Sequence, residues 1–272
     1  MAKKTAAKKS KKPGLSLLVK TGLWLLLCVL LVVVGYKNKK YVRRAYRYLS
    51  HHYIKTNFRP SDFPDGYKLH GIDVSHYQEE VDWDKLRAID QYGDTLAFNF
   101  AFIKATEGLL IEDDMFDEHW EDAKAHHVTR GAYHYFLPDR SAKIQAANFV
   151  SSVKLKPGDL PPVVDVEELR GKNKQELVRS LREFIKQVEQ AYKVKPIIYS
   201  NINFIEDYLA DDFKEYPFWI AHYYRNELTV EDSIQCFFWQ HTDKADLLGI
   251  KGTVDANVFN GSRADFEKLL LH

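Results

Sequence analysis

The sequence predicts an α/β fold: a modified, irregular (β/α) TIM-like barrel preceded by one N-terminal transmembrane helix. Two observations carry the barrel. After the turn-like stretch PSDFPDG (60–66), short apolar or β-branched runs alternate with longer amphipathic segments, as strands alternate with helices in α/β proteins. Those runs number eight, the count of a closed barrel. A third observation carries the helix: residues 15–36 form an almost uninterrupted apolar run.

Charge divides the chain at the same place. The formal net charge is +1, yet residues 1–61 hold 15 of the 39 Lys and Arg and no acid, leaving 24 basic against 38 acidic residues in 62–272. A basic arm and an acidic globular part occupy different surroundings. With 45% apolar and 14% aromatic residues, disorder over most of the length is excluded, and 13 Gly with 9 Pro exclude a collagen-like or low-complexity chain. Two cysteines, Cys28 and Cys236, exclude a disulfide framework and a Cys-based zinc cluster.

In chain order, residues 1–14 are a basic tail. Residues 15–36 (LSLLVKTGLWLLLCVLLVVVGY) would span about 33 Å as a helix, enough for a hydrocarbon core of about 30 Å, with Lys20 near one end where its stem reaches the interface. A cleavable signal peptide is the competing reading; against it, the run ends in VVVGYKNKK with no A-x-A-like pair. Residues 37–68 are a basic, tyrosine-rich juxtamembrane linker, suited to anionic headgroups. The expected partner of 15–36 is therefore a lipid bilayer, and no nucleic acid is needed to explain the charge. Seven Lys in 1–20 and six Lys or Arg in 37–47 leave the orientation undecided by charge.

Residues 69–272 form the predicted catalytic domain. Its strands are expected at 70–74 (HGIDV), 101–105 (AFIKA), 131–136 (GAYHYF), 162–166 (PVVDV), 196–200 (PIIYS), 218–221 (FWIA), 236–240 (CFFWQ) and 253–259 (TVDANVF). Helices are expected at 114–126, 142–153, a strongly amphipathic 174–192, and 263–271. FWIA and CFFWQ are joined by a helix-poor segment, so the barrel should be imperfect.

Several apolar strands finish in a polar residue: Asp73, Lys104, Asp165 with Glu167, Tyr199, Gln240 and Asp255. Barrel enzymes assemble their chemistry at the C-terminal ends of strands. In PPVVDVEE (161–168), strand alternation puts Asp165 and Glu167 on one face and Val164 and Val166 on the other. Converging carboxylates resist simultaneous ionisation, so one stays protonated as a general acid. The same phase turns Asp73 and Asp255 inward, giving a four-carboxylate pocket. No metal is expected, since no D-x-D-x-D-G loop or H-E-x-x-H pair is present, and no Walker or Rossmann glycine pattern calls for a cofactor. Aromatics near the strand ends, among them Tyr77, Tyr133, Tyr199, Trp219, Tyr223 and Trp239, offer flat faces on which sugar rings stack. Carboxylates with aromatics point to glycoside hydrolysis.

At these residues a resemblance becomes close. HGIDVSHYQEEVDW (70–83), FIKATEG (102–108), GAYHYF, QAANFV (145–150), PPVVDVE, PIIYSN, FWIAHY (218–223) and FWQHTD…GIKGTVDANVFNG (238–261) follow one another much as in glycoside hydrolase family 25 lysozymes, which are β-1,4-N-acetylmuramidases. The resemblance implies that Glu167 protonates the leaving glycosidic oxygen. Asp165 would stabilise the charge developing at the anomeric carbon, directly or by orienting the substrate's N-acetyl group. Asp73 and Asp255 would position substrate and tune Glu167; Tyr133, Tyr199, Trp219 and Trp239 would line the groove, with Tyr77 beside them. It also implies net retention, no cofactor, and peptidoglycan glycan strands as substrate, which places the tail 1–14 in the cytoplasm and the catalytic domain outside. A chitinase-like hexosaminidase, or a catalytically silent glycan-binding membrane scaffold, would share many of these features.

Overall fold

The computed structural model describes residues 63–89 and 95–272, so the membrane span expected at 15–36, the basic tail and most of the linker lie outside the described residues. Among the described residues no helix is long and apolar enough to cross a membrane. The strands are β1 (His70–Val74), β2 (Arg87–Ile89), β3 (Thr95–Glu107), β4 (Ile111–Glu112), β5 (Thr129–Tyr135), β6 (Val163–Asp165), β7 (Ile197–Asn201), β8 (Phe218–Ala221), β9 (Cys236–Asp246) and β10 (Thr253–Phe259). Every one of the eight expected runs lies on a strand. β2 and β4 are additional and pair antiparallel with the two ends of the long β3, and β2 is also bridged at Arg87 to Leu248.

Eight strands close in the order β1, β3, β5, β6, β7, β8, β9, β10, with β1 returning to both β3 and β10. Neighbours are parallel except at β10, which runs antiparallel to both β9 and β1. The antiparallel β10 was not expected from the sequence; the helix-poor link between FWIA and CFFWQ was. Between β8 and β9 no helix is assigned, and β9 folds back into β10 as a hairpin.

The longer helices are α1 (Phe116–Ala125), α2 (Ala142–Ser152), α3 (Lys174–Tyr192) and α4 (Arg263–Leu269); a further helical stretch made of Ile202–Phe204, Ile205–Leu209 and Ala210–Phe213 follows β7, and a single turn, His76–Gln78, follows β1. Their local causes are plain in α3. The Asn173 side chain accepts from the Glu176 amide and Glu176 returns a bond to the Asn173 amide, both at 3.0 Å. Leu177, Leu181, Phe184, Ile185 and Val188 then make one buried stripe. Lys193, at a left-handed φ of 61°, ends the helix.

Two apolar layers result. The outer one packs Ile72, Val164, Val166 and Ile198 under α2 and α3. The inner one fills the barrel with Phe100, Phe102, Trp219, Phe238 and Phe259, and Phe266 of α4 packs into it. Gly71 exists for this layer: a Cβ there would collide with the Phe100 ring.

Candidate active site

The residues that follow the inner aromatic layer, two positions along the same strands, are polar. Gly71 leads to Asp73, Phe102 to Lys104, Val163 to Asp165, Ile197 to Tyr199 and Phe238 to Gln240. Side chains two apart share a face, so the barrel interior changes from aromatic to polar near the C-terminal ends of its parallel strands. β10 runs the other way and contributes Asn257 and Asp255. Asp73 lies directly opposite Asp255 across the β1–β10 ladder.

Asp165 is the last residue of β6. Glu167 lies just past the strand, yet extended pairing continues: the Val166 amide donates to the Tyr199 carbonyl at 3.1 Å, and Ser200 Oγ donates to the Val166 carbonyl at 2.6 Å. Asp165 and Glu167 therefore still share a face and are hydrogen-bonded to each other. Burial raises Asp165 well above the ordinary carboxylate range, and the Glu167 charge and hydrogen bond raise it further. Burial raises Glu167 too, while its bond from Asp165 pulls the other way. Lys104, bonded to Glu107 at 2.7 Å, lowers both. The sequence leads one to expect a single raised carboxyl, the acid Glu167; in the structure both are raised. Asp165 Oδ1 has no hydrogen-bond partner among the described residues.

The second carboxyl pair is Asp73 and Asp255. Burial raises Asp73 to about 6, against hydrogen bonds from Asn257 and Gln240 that lower it. Asp255 is raised to about 9, first by burial and then by the charges of Asp73, Asp243 and Glu167. The site thus gathers four carboxyls, of which burial keeps a share protonated. Such a cluster can deliver a proton and hold a carboxylate in the same small space, which is acid catalysis on a bond whose cleavage leaves positive charge. Among the described residues no group of three or more His, Cys, Asp or Glu could hold a metal ion.

The aromatic residues divide. Tyr133 stands edge-on to Trp219 at 6.3 Å, near the carboxyls, and Tyr199 donates to Gln240 at 2.7 Å. Trp219 is 1% exposed, stacked on Phe102 at 4.2 Å; it is part of the inner layer on which the carboxyls rest. Tyr77 is 80% exposed on a turn after β1, its ring against His76 at 4.2 Å. Trp239 requires a correction. It is fully buried and, lying between inward-facing Phe238 and Gln240, points out of the barrel, where its ring meets Tyr67 and His241 and its Nε1 donates to the His222 carbonyl. No face is left there for a sugar.

Two residues of the cluster, Gln240 and Asn257, carried no assigned role in the sequence, and Tyr223, expected only as a sugar-stacking ring, joins them through its hydroxyl. Gln240 Nε2 donates to Asp73 and Asp255, Asn257 Nδ2 donates to Asp73, and the Tyr223 hydroxyl donates to Gln240. Their signal was position alone, polar residues in phase with Asp73 and Asp255 at strand ends.

A closed (β/α) barrel with paired carboxyls at the C-terminal ends of its strands is an arrangement suited to glycoside hydrolysis. The chain belongs to the glycosyl hydrolases family 25, whose family model matches residues 72–250, and it is an enzyme of the lysozyme class. It is 44% identical over 200 residues to "Uncharacterized protein YegX" of Escherichia coli (strain K12), covering 73% of this chain and 72% of that one. It is 30% identical over 214 residues to Lysozyme M1 of Streptomyces globisporus, covering 72% and 69%. Among solved structures it is similar to a family 25 glycosyl hydrolase from Bacillus anthracis, with a TM-score of 0.69, 28% identity, and coverage of 78% and 98%.

Proposed function

We propose that this chain cleaves the β-1,4 bond between N-acetylmuramic acid and N-acetylglucosamine in peptidoglycan, with Glu167 as general acid. The observation that carries it is the hydrogen-bonded Asp165–Glu167 pair in a mouth of four carboxyls; family membership and the resemblance to Lysozyme M1 support the substrate. An amide N–H from the substrate's N-acetyl group would pair with the Asp165 carboxyl, whose enclosed Oδ1 has no partner among the described residues and must turn toward the mouth to meet it. A donor arriving there favours the Asp165 carboxylate, so the proton held between the two is left on Glu167, facing the leaving oxygen. The charged Asp165 then orients the N-acetyl group and stabilises the developing oxocarbenium charge. Participation of that group gives net retention.

The test is digestion of purified sacculi, with reducing ends labelled by borohydride reduction and read by mass spectrometry. Wild-type product ends in muramic acid and Glu167→Gln releases at most about a hundredth as much; undiminished release by that variant overturns the role of Glu167, and equal cleavage of chitin oligomers overturns the substrate. The anomer formed first, followed by NMR, tests retention.

Residues 15–36 are proposed as an uncleaved anchor that holds the enzyme on the outer side of a membrane. Support comes from their length and apolarity and from the basic stretches flanking them. In intact spheroplasts, added protease should remove residues 69–272 and spare the tail 1–14; protection of the catalytic domain overturns this topology.

A further inference from the structure

Gln240 is 1% exposed and all four of its amide's hydrogen-bonding positions are used. Its Oε1 accepts from the hydroxyls of Tyr199 and Tyr223, both at 2.7 Å. Its Nε2 donates to Asp73 Oδ2 at 2.8 Å and to Asp255 Oδ2 at 3.0 Å. With the oxygen toward the two hydroxyls, the Nε2 end of the amide meets the acids. Asn257 is oriented in the same way by Trp219, whose indole can only donate: Nε1 meets Asn257 Oδ1 at 2.7 Å, so Nδ2 meets Asp73 Oδ2, also at 2.7 Å. Asp73 Oδ2 thus accepts two amide N–H bonds and Asp255 Oδ2 one. The two carboxyls are cross-strand partners, hydrogen-bonded to each other, and too close to carry two negative charges.

We propose that Gln240 is a positioning residue that holds the Asp73–Asp255 pair at one negative charge, which the additional donor from Asn257 places on Asp73, with the shared proton on Asp255. The charge matters because the pair interacts with Glu167. One negative charge helps Glu167 keep its proton; a neutral pair withdraws that help. Facing the pair are Glu167 and Asp165 from the end of β6, Tyr133 of β5, Tyr199 of β7, Tyr223 after β8 and Asp243 of β9, with Lys104 of β3 acting through the Asp165–Glu167 pair. Among these, Gln240 supplies N–H donors to both carboxyls of the pair.

This inference deepens the muramidase reading and rests on it only for its kinetic consequence. The first experiment does not need activity: NMR titration of the full-length chain carrying ¹³Cγ-aspartate, with Asp73→Asn and Asp255→Asn assigning the two signals. Gln240→Leu removes one donor from each carboxyl and leaves Asp73 only its bond from Asn257, so Asp73 should take up its proton at higher pH, by about one unit. Tyr223→Phe keeps its ring and frees one lone pair of Gln240, and should move the same signal in the same direction by less. In the second experiment, the pH profile of kcat/KM for Gln240→Leu should narrow: the acid limb rises with Asp73, and the basic limb falls as Glu167 loses its proton earlier. An unshifted Asp73 signal in either variant overturns the proposal, as does a profile that is lower but superimposable on wild type. A shifted signal in a chain with no hydrolase activity upholds the role of Gln240 and overturns the muramidase reading. Should Gln240→Leu fail to fold, Tyr223→Phe decides alone.

Discussion

The barrel interior holds two regions built by the same strands: a dry aromatic layer of Phe100, Phe102, Phe238 and Phe259, and, two residues further along the parallel strands, a mouth of carboxyls and amides. The difference between them teaches how an ordinary α/β barrel makes unusual acids. The aromatic layer excludes water from one side of the carboxyls, and desolvation is the largest cause raising Asp73, Asp165, Glu167 and Asp255 alike. Packing in the lower region sets proton affinity in the upper one.

Substitutions that strike one region and spare the other break the comparison most sharply. Glu167→Gln removes the acid while leaving the aromatic layer whole; muropeptide release should fall roughly 10²- to 10⁴-fold, with no loss of thermal midpoint by calorimetry. Phe102→Ala strikes the layer, where the ring stacks on Trp219 and packs edge-on to Phe100 and Phe238. It should cost about 3–5 kcal/mol of stability, read as a thermal midpoint lowered by roughly 2–4 °C per kcal/mol. Because Trp219 also orients Asn257, the surviving folded enzyme should be slower as well.

Asp255→Asn separates protonation from packing. The folded state raises the proton affinity of Asp255 to about 9, above its unfolded value of about 4. The stability this contributes is fully present below about pH 4 and is lost as pH rises through about 9. An asparagine does not titrate, so the variant should melt several degrees above wild type under alkaline conditions, the gap closing toward acid pH; an equal gap at every pH would detach this carboxyl from the desolvation account. The smallest effect is expected of Trp239→Phe, outside the barrel. It loses one hydrogen bond to the His222 carbonyl, about 1 kcal/mol, with little change in KM for glycan strands. A large rise in KM would restore Trp239 to the groove.

Much of this was legible in order and phase. The eight strands could be read because turn residues and amphipathic helices punctuate them, and Asp165 with Glu167 because alternation in VVDVE is clean. The phase of CFFWQ was not legible: with apolar residues on both faces, Phe237, Phe238 and Trp239 carry no period-2 contrast, and only the positions of neighbouring strands turn Phe238 inward and Trp239 outward. β2 and β4 were missed because each is short and exists by pairing with an overlong β3. Gln240 and Asn257 were visible only as polar residues in phase, since amide bonds to Asp73 join positions 167 and 184 residues apart.

By itself the sequence determined what local chemistry can encode: the division into a basic arm and an acidic domain, the strand and helix order, and which acids share a face. Tertiary structure decided what depends on distance through space. Closure of β1 onto β3 and β10 brings Asp73 against Asp255 and both under the Gln240 amide. Burial then decides which of those carboxyls keep a proton, because the cost of a charge is set by the atoms around it and not by its neighbours in the chain.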